Sequence, residues 1–282
     1  MTSQQQQQTW LVTGSSKGMG LSIVSAALAA GHNVVATARN TNEPALASLV
    51  AKYPSTAKLL QLDVTNPEEA KGVVAAAVEA FGTLDVVVNN AGYANCHPIE
   101  DFDLADIRAQ VETNLFGVVN VTKAALPVFR AQGRGHFFQI SSIGGRTASP
   151  GLGPYQMSKW AVGGFSEVLQ QEVRPLGIKV TIVEPSGFRT EWAGTSMKIL
   201  EVSEPYKATV GVAAASLEAR NGKQKGDPDR LAKILVDVAL TADAPLHLLL
   251  GKDAVRIAKE VIATRTAEDA KWAAVGESAD YQ

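Results

Sequence analysis

The sequence predicts a doubly wound α/β fold: a parallel sheet with helices on both faces, three layers in a single domain. Three observations predict it. Short apolar runs alternate with longer helical segments along the chain, the pattern of repeated βαβ units. The run Leu84–Asn89 is nearly continuously apolar, as strands buried on both faces are. A glycine-rich turn joins the first apolar run to the first helix.

The elements follow in order. Thr9–Thr13 is the first strand, and an Ala-rich helix runs from the glycine turn to about Ala30. Gly31 ends that helix, because glycine takes positive φ without steric penalty. Asn33–Ala38 and Ala57–Leu62 are the second and third strands. Asn66-Pro67-Glu68-Glu69 opens a helix that reaches Phe81. Asparagine caps its free amides, proline suits the first helical position, and the acids face the positive end of the helix dipole. The fourth strand, Leu84–Asn89, leads to one long helix over Leu104–Arg130 and a fifth strand at Gly135–Ile140. A helix over Pro154–Pro175 precedes a sixth strand, Lys179–Val183. A polar, glycine-containing stretch then covers Thr190–Gly226, followed by a helix from Pro228, a short strand at Leu246–Leu250 and a C-terminal helix. No repeat or linker divides the chain. Residues 9–282 are expected to form one domain behind a polar tail, residues 1–8, which ends in five glutamines.

With 282 residues, 46% of them hydrophobic, the chain can bury a full-sized core. A formal net charge of −2 lacks the basic footprint of a nucleic-acid or acidic-membrane partner. No apolar stretch approaches the roughly 18 residues of a membrane-spanning helix. The N-terminus has neither the basic nor the apolar region of a secretion signal. Cys96 is the single cysteine, so no intrachain disulfide forms, as in a reducing compartment. It is read as a small apolar side chain. A soluble, cytoplasmic protein is expected.

The turn Thr13-Gly14-Ser15-Ser16-Lys17-Gly18-Met19-Gly20 lies between the first strand and first helix. There, one glycine makes the tight turn, another lets the backbone approach a pyrophosphate, and a third packs the helix on the sheet. The helix start offers unpaired N–H groups to phosphates. Gly14, Ser16, Lys17, Gly18, Met19 and Gly20 are therefore candidate dinucleotide-binding residues.

Tyr155 and Lys159 are four residues apart on a predicted helix and share one face. A free tyrosine has a pKa of about 10, and a nearby ammonium is expected to lower it toward the range useful for acid/base work. Ser141 and Ser142 end the fifth strand, where open α/β sheets place ligands, so a hydroxyl there can polarise a carbonyl. The four histidines, His32, His97, His136 and His247, are scattered and form no metal-ligand cluster; His136 is read as structural.

The spacing Thr-Gly-x-x-x-Gly-x-Gly, with Asn89-Asn90-Ala91-Gly92, Asn114, Ser142 and Tyr155-x-x-x-Lys159 in that order, resembles the short-chain dehydrogenase/reductase family. The resemblance covers about Trp10 to Leu250; beyond that it is looser and is similar to the longer, steroid-dehydrogenase-like reductases. It implies a Rossmann-type dinucleotide fold, and it favours Ser142 as the polarising hydroxyl over Ser141. It implies that Asn114 holds a water linking Lys159 to solvent, and that Asn90, Ala91 and Gly92 support the adenosine side. Asp63 and Val64 resemble the adenine-contacting pair. The family reads Pro-Gly where this chain has Pro185-Ser186-Gly187, but the spacing to Thr190 is kept, so Pro185, Phe188 and Thr190 are expected to hold the carboxamide. Lys123 occupies the place of a basic residue beside the cofactor. A homo-oligomer is a family expectation.

An acid at the end of the second strand would bind the adenosine ribose of NAD. Ala38 stands there, Arg39 follows, and Lys17 adds a second cation; a guanidinium suits a 2′-phosphate. The expectation is an NADP(H)-dependent oxidoreductase that interconverts a small-molecule ketone or aldehyde with an alcohol, using Ser142, Tyr155, Lys159 and Asn114. Tyr93–Ile99, the segment after Ser142 and Trp192–Gly226 should form the substrate pocket, the last as a mobile lid. A non-catalytic dinucleotide-binding regulator on the same fold is the rival class, separated from an enzyme by NADPH consumption with a carbonyl panel. Epimerisation or dehydration on this fold would be told apart by product identity.

Overall fold

The protein is described by a computed structural model that covers residues 7–194 and 196–281. Its strands are β1 (Thr9–Val12), β2 (Asn33–Ala38), β3 (Ala57–Gln61), β4 (Val86–Asn89), β5 (Ala94–Cys96), β6 (Gly135–Ile140), β7 (Ile178–Pro185), β8 (Met197–Ile199) and β9 (His247–Leu250). The helices are α1 (Gly18–Ala29), α2 (Pro44–Ala51), α3 (Pro67–Phe81), α4 (Leu104–Val111), α5 (Gly117–Gln132), α6 (Gly153–Val173), α7 (Val212–Arg220), α8 (Pro228–Leu240) and α9 (Lys252–Glu277).

Seven strands form a parallel sheet in the order β3-β2-β1-β4-β6-β7-β9. Register explains the layers. Leu11 lies beside Val35 and Val87, and Val87 beside Phe137; these side chains enter a core with α3, α5 and α6. Their neighbours Val12, Ala36, Val88 and Phe138 are also in register and enter the opposite core with α1 and α8. Alternate residues of one strand thus fill two cores, which is why these strands lack polar alternation. The fully buried Trp10, Phe129, Phe137 and Phe138 each stabilise the fold by about 1.5–3 kcal/mol by the area they remove from water. The order reverses direction between β1 and β4, and that switch point opens the crevice where such sheets bind ligands.

The Asn66 cap forms as expected, its side chain accepting from the backbone N–H of Glu68 at 3.0 Å and of Glu69 at 3.4 Å. The predicted long helix does not run evenly: a π-helical turn, Glu112–Phe116, separates α4 from α5. The polar stretch after β7 contains β8, α7 and short turns, and β8 pairs with β5 in a second, two-stranded sheet. Residues 1–6 of the expected tail lie outside the described residues. Gln7 and Gln8 are tied to the fold, with Gln7 Nε2 donating to the Gly31 carbonyl at 2.8 Å and Asn33 N–H donating to the Gln8 carbonyl at 2.9 Å. No helix among the described residues is long and apolar enough to cross a membrane.

Candidate active site

The glycine turn closes around the end of β1. Gly14 has φ of +65°, and a Cβ there would meet the Ala91 Cα at 2.8 Å; a Cβ on Gly20 would lie 2.3 Å from the Gly14 carbonyl oxygen. Asn90 fastens the turn from β4: its Nδ2 donates to the carbonyls of Thr13 at 2.9 Å and Gly14 at 3.0 Å. Thr13 Oγ1 accepts from the backbone N–H of Asn90 and Ala91. Ser16 and Met19 sit in the same turn, half-buried, with Lys17 exposed at the start of α1. That helix start carries no side-chain cap, so its own N-cap residue does not occupy its first N–H groups. A diphosphate fits this cradle, since the cradle is built of backbone donors where side chains are sterically excluded.

Beyond β2, Ala38 is buried and Arg39 exposed. Burial and Asp106 hold the Tyr93 phenol above its ordinary range, while the Arg39 charge acts in the opposite direction. Asp63 Oδ1 accepts from Thr65 N–H at 3.0 Å and Oγ1 at 2.8 Å, and the Val64 carbonyl accepts from Asn120 Nδ2 at 3.0 Å. Thr190 lies against the turn: a Cβ on Gly18 would be 3.3 Å from its Cβ. Pro185 ends β7, and Phe188 bridges to Gly226. Lys123 is exposed on α5, and among the described residues no hydrogen bond or ion pair joins it to these groups.

Tyr155 and Lys159 project from α6 toward the end of β6. Tyr155 is 8% exposed and Lys159 4%. Lys159 Nζ donates to the Ile140 carbonyl at 2.7 Å and stands 5.8 Å from the Tyr155 ring centre. The expected lowering of the tyrosine is not what this geometry gives. Burial pushes its phenol up to about 12, and a hydrogen bond with Ser142 offsets part of that rise. Burial also brings Lys159 down to about 8. Removal from water disfavours both charged forms, and here it outweighs their neighbours. Ser142 Oγ accepts from Gly144 N–H at 3.0 Å, which aims it outward, while Ser141 is buried and donates to the Lys159 carbonyl at 3.1 Å. Geometry thus separates the two serines.

Asn114 occupies the π turn, fully buried. Its Nδ2 donates to the Tyr93 carbonyl at 2.8 Å and Ser158 Oγ at 3.2 Å, and its Oδ1 accepts from Tyr93 N–H at 2.9 Å. A Cβ on Gly92 would be 2.9 Å from Asn114 Oδ1 and 3.6 Å from Lys159 Nζ, so the bare glycine lets both polar groups stand together. π turns recur at functional sites because the extra residue re-aims a side chain.

Residues 8–199 match the model of the short chain dehydrogenase family. This chain belongs to that family. It is 50% identical over 264 residues to oxidoreductase BOA17 of Botryotinia fuckeliana (strain B05.10), covering 93% of this chain and 96% of that one. It is 34% identical to the uncharacterized oxidoreductase C162.03 of Schizosaccharomyces pombe, covering 89% and 85%. A crystal structure of a short-chain dehydrogenase from Streptomyces avermitilis superposes with a TM-score of 0.91 at 38% identity, covering 98% of this chain and all of that one. The family's fold binds a nicotinamide dinucleotide.

Three features of this short-chain dehydrogenase escaped the sequence. Trp192 packs on Tyr155 with ring centres 5.2 Å apart and planes at 55°. Arg146 grips the buried Glu184 with two bonds of 2.6 Å, tying the Ser142 loop to the end of β7. Thr13 is the hub of the glycine turn. The first two pairs join residues separated by most of α6 and β7 and leave no periodic trace; Thr13 stood within the motif, but its hydroxyl could not be aimed from spacing.

Proposed function

We propose that the protein is an NADP(H)-dependent oxidoreductase that interconverts a ketone or aldehyde with an alcohol, with Tyr155 as the proton donor. The buried set of Ser142, Tyr155 and Lys159, backed by Asn114, carries this reading. NADPH, when bound, supplies the hydride that a carbonyl carbon accepts. The Ser142 hydroxyl acts on the Tyr155 phenol, so a carbonyl oxygen placed beside them can accept from both hydroxyls. Burial keeps the Tyr155 phenol protonated at neutral pH, ready to donate as negative charge develops on that oxygen. Lys159, held by the Ile140 carbonyl, stabilises the phenolate left behind. Asn114 and Gly92 leave a polar path from Lys159 toward solvent, along which the proton is replaced.

Gly14, Ser16, Gly18, Met19 and Gly20 hold the diphosphate, with Asn90, Ala91 and Gly92 bracing the turn. Asp63 and Val64 face the adenine, Pro185, Phe188 and Thr190 the carboxamide, and Arg39 with Lys17 the 2′-phosphate. Residues 192–226 cover the substrate. The test is NADPH consumption with a carbonyl panel, in wild type and Tyr155→Phe. Phenylalanine keeps the ring packing and removes the proton, so kcat should fall at least about a thousandfold with NADPH binding retained. Reduction by the wild type should be level at neutral pH and decline as pH rises through about 8, where Lys159 gives up its charge. Near-wild-type turnover by Tyr155→Phe would remove the tyrosine from the mechanism.

A further inference from the structure

We infer that this site takes a bulky, neutral, apolar carbonyl compound, and that Trp192 is the residue that selects it; this rests on the carbonyl reduction proposed above. Beside Tyr155 lies a third core, separate from the two that hold the sheet, in which Ala94, Cys96, Leu152, Met197 and Val210 are buried. These residues come from β5, the start of α6, β8 and the turn before α7, the elements that flank the catalytic hydroxyl. Trp192 packs against this core half-buried, with its indole tilted over the Tyr155 ring. A large aromatic surface, partly open and next to the reacting hydroxyl, is area that an apolar substrate can cover.

The turn that carries the indole is also fixed. The backbone N–H of Trp192 donates to Thr190 Oγ1 at 3.3 Å, and Thr190 in turn rests against Gly18 of the glycine turn. One threonine thus ties the backbone that carries the indole to the cofactor cradle, while the indole itself rests on Tyr155. Carboxylates border the outer side of this core, where Glu100 accepts from Tyr206. Glu218 acts on the Cys96 thiol in the same direction as burial, raising it, and Glu100 and Asp101 act on the Tyr206 hydroxyl from the segment that closes the core. A substrate bearing a carboxylate or phosphate would lose its hydration against these apolar side chains, whereas a neutral ring loses nothing by leaving water.

The experiment compares phenyl propyl ketone with 4-oxo-4-phenylbutanoate, in which a carboxylate replaces the terminal methyl. With NADPH, the wild type should favour the neutral ketone by at least about tenfold in kcat/KM. Trp192→Ala should lose most of that rate through a higher KM, and Trp192→Phe should recover much of it. Without cofactor, phenyl propyl ketone should quench a part of the tryptophan fluorescence that Trp192→Phe lacks. Should Trp192→Ala fail to bind NADPH, Trp192→Phe and the quenching decide. Equal use of the two ketones by the wild type, an undiminished preference in Trp192→Ala, or quenching that survives in Trp192→Phe overturns the inference. A wild type that reduces no carbonyl at all defeats the reaction as well, a result distinct from indiscriminate turnover.

Discussion

The glycine turn and the segment after β7 border the same cleft, yet different forces hold them. In the turn, backbone lies against backbone: Gly20 touches the Gly14 carbonyl, and Asn90 bonds the Thr13 and Gly14 carbonyls. The later segment is held by side chains distant in sequence. Ser203 donates to Asp101 at 2.6 Å, Tyr206 to Glu100 at 2.5 Å, and His97 Nε2 lies 2.8 Å from the Glu201 carbonyl. Only one arrangement of atoms satisfies the turn, so its residues are dictated. The later segment rests on exchangeable pairs, so its sequence can change to suit a substrate without disturbing the cradle.

The sharpest way to break this comparison is one added methyl group in each region. In Gly20→Ala the new Cβ would lie 2.3 Å from the Gly14 oxygen and 2.6 Å from Asn90 Nδ2, and neither backbone nor clamp can yield cheaply. Overpacking of this kind costs about 1–3 kcal/mol, a fall in Tm of several degrees, and NADPH affinity should drop with it. In Gly211→Ala the new Cβ meets nothing closer than Lys207 Cβ at 3.7 Å, so stability should hold or rise slightly through lost unfolded-state freedom. Thermal unfolding and NADPH titration of both variants check this. Equal effects would show that the two loops are not held differently.

The second prediction sharpens what the cradle side recognises. Ala38 offers no acceptor to a ribose hydroxyl, while Arg39 and Lys17 are exposed cations at the same end. Surface pairing is screened, so kcat/KM should favour NADPH over NADH by about tenfold to a hundredfold and less at high salt. Ala38→Asp with Arg39→Ala should reverse the order, because the acid repels the phosphate and binds the ribose. Wild type that uses NADH equally well would sink this assignment.

Legibility in the sequence follows the same division. The central strands β1, β4 and β6 were readable because both faces of each are buried, and the Asn66 cap because its chemistry is local. Tyr155 and Lys159 were readable because helical spacing alone puts them on one face. Their titration was not: the expected lowering of Tyr155 assumed an ammonium acting through water, and burial reverses the balance. β5 and β8, three residues each, are too short to show a period of two. α2 buries only Leu46, too little for a helical stripe to stand out. The π turn at Asn114 has no compositional signature.

The smallest expected effect lies in the exchangeable pairs themselves. Ser203→Ala with Tyr206→Phe removes both hydroxyl donors that tie the segment to Asp101 and Glu100, and leaves the β5–β8 pairing and the third core in place. The segment should then open more often, because little besides that short ladder and the apolar contacts opposes local unfolding. Limited proteolysis should cut within residues 197–211 faster than in wild type, and KM for the carbonyl substrate should rise a few-fold at about constant NADPH affinity. The pH response has a definite sign. The bond to Glu100 and its charge raise the Tyr206 phenol above its ordinary value of 10.0, so the bonded neutral form contributes fully below that value and is lost as pH rises through the raised one. Cleavage of the wild-type segment by an alkaline-active protease such as subtilisin should therefore accelerate in that upper range, relative to a cut elsewhere in the chain, while the double variant shows no such step. A wild-type segment as readily cut as the variant at neutral pH would mean that these hydroxyls do not hold it, and that the β5–β8 ladder, the His97 contact and the apolar core beside Tyr155 do.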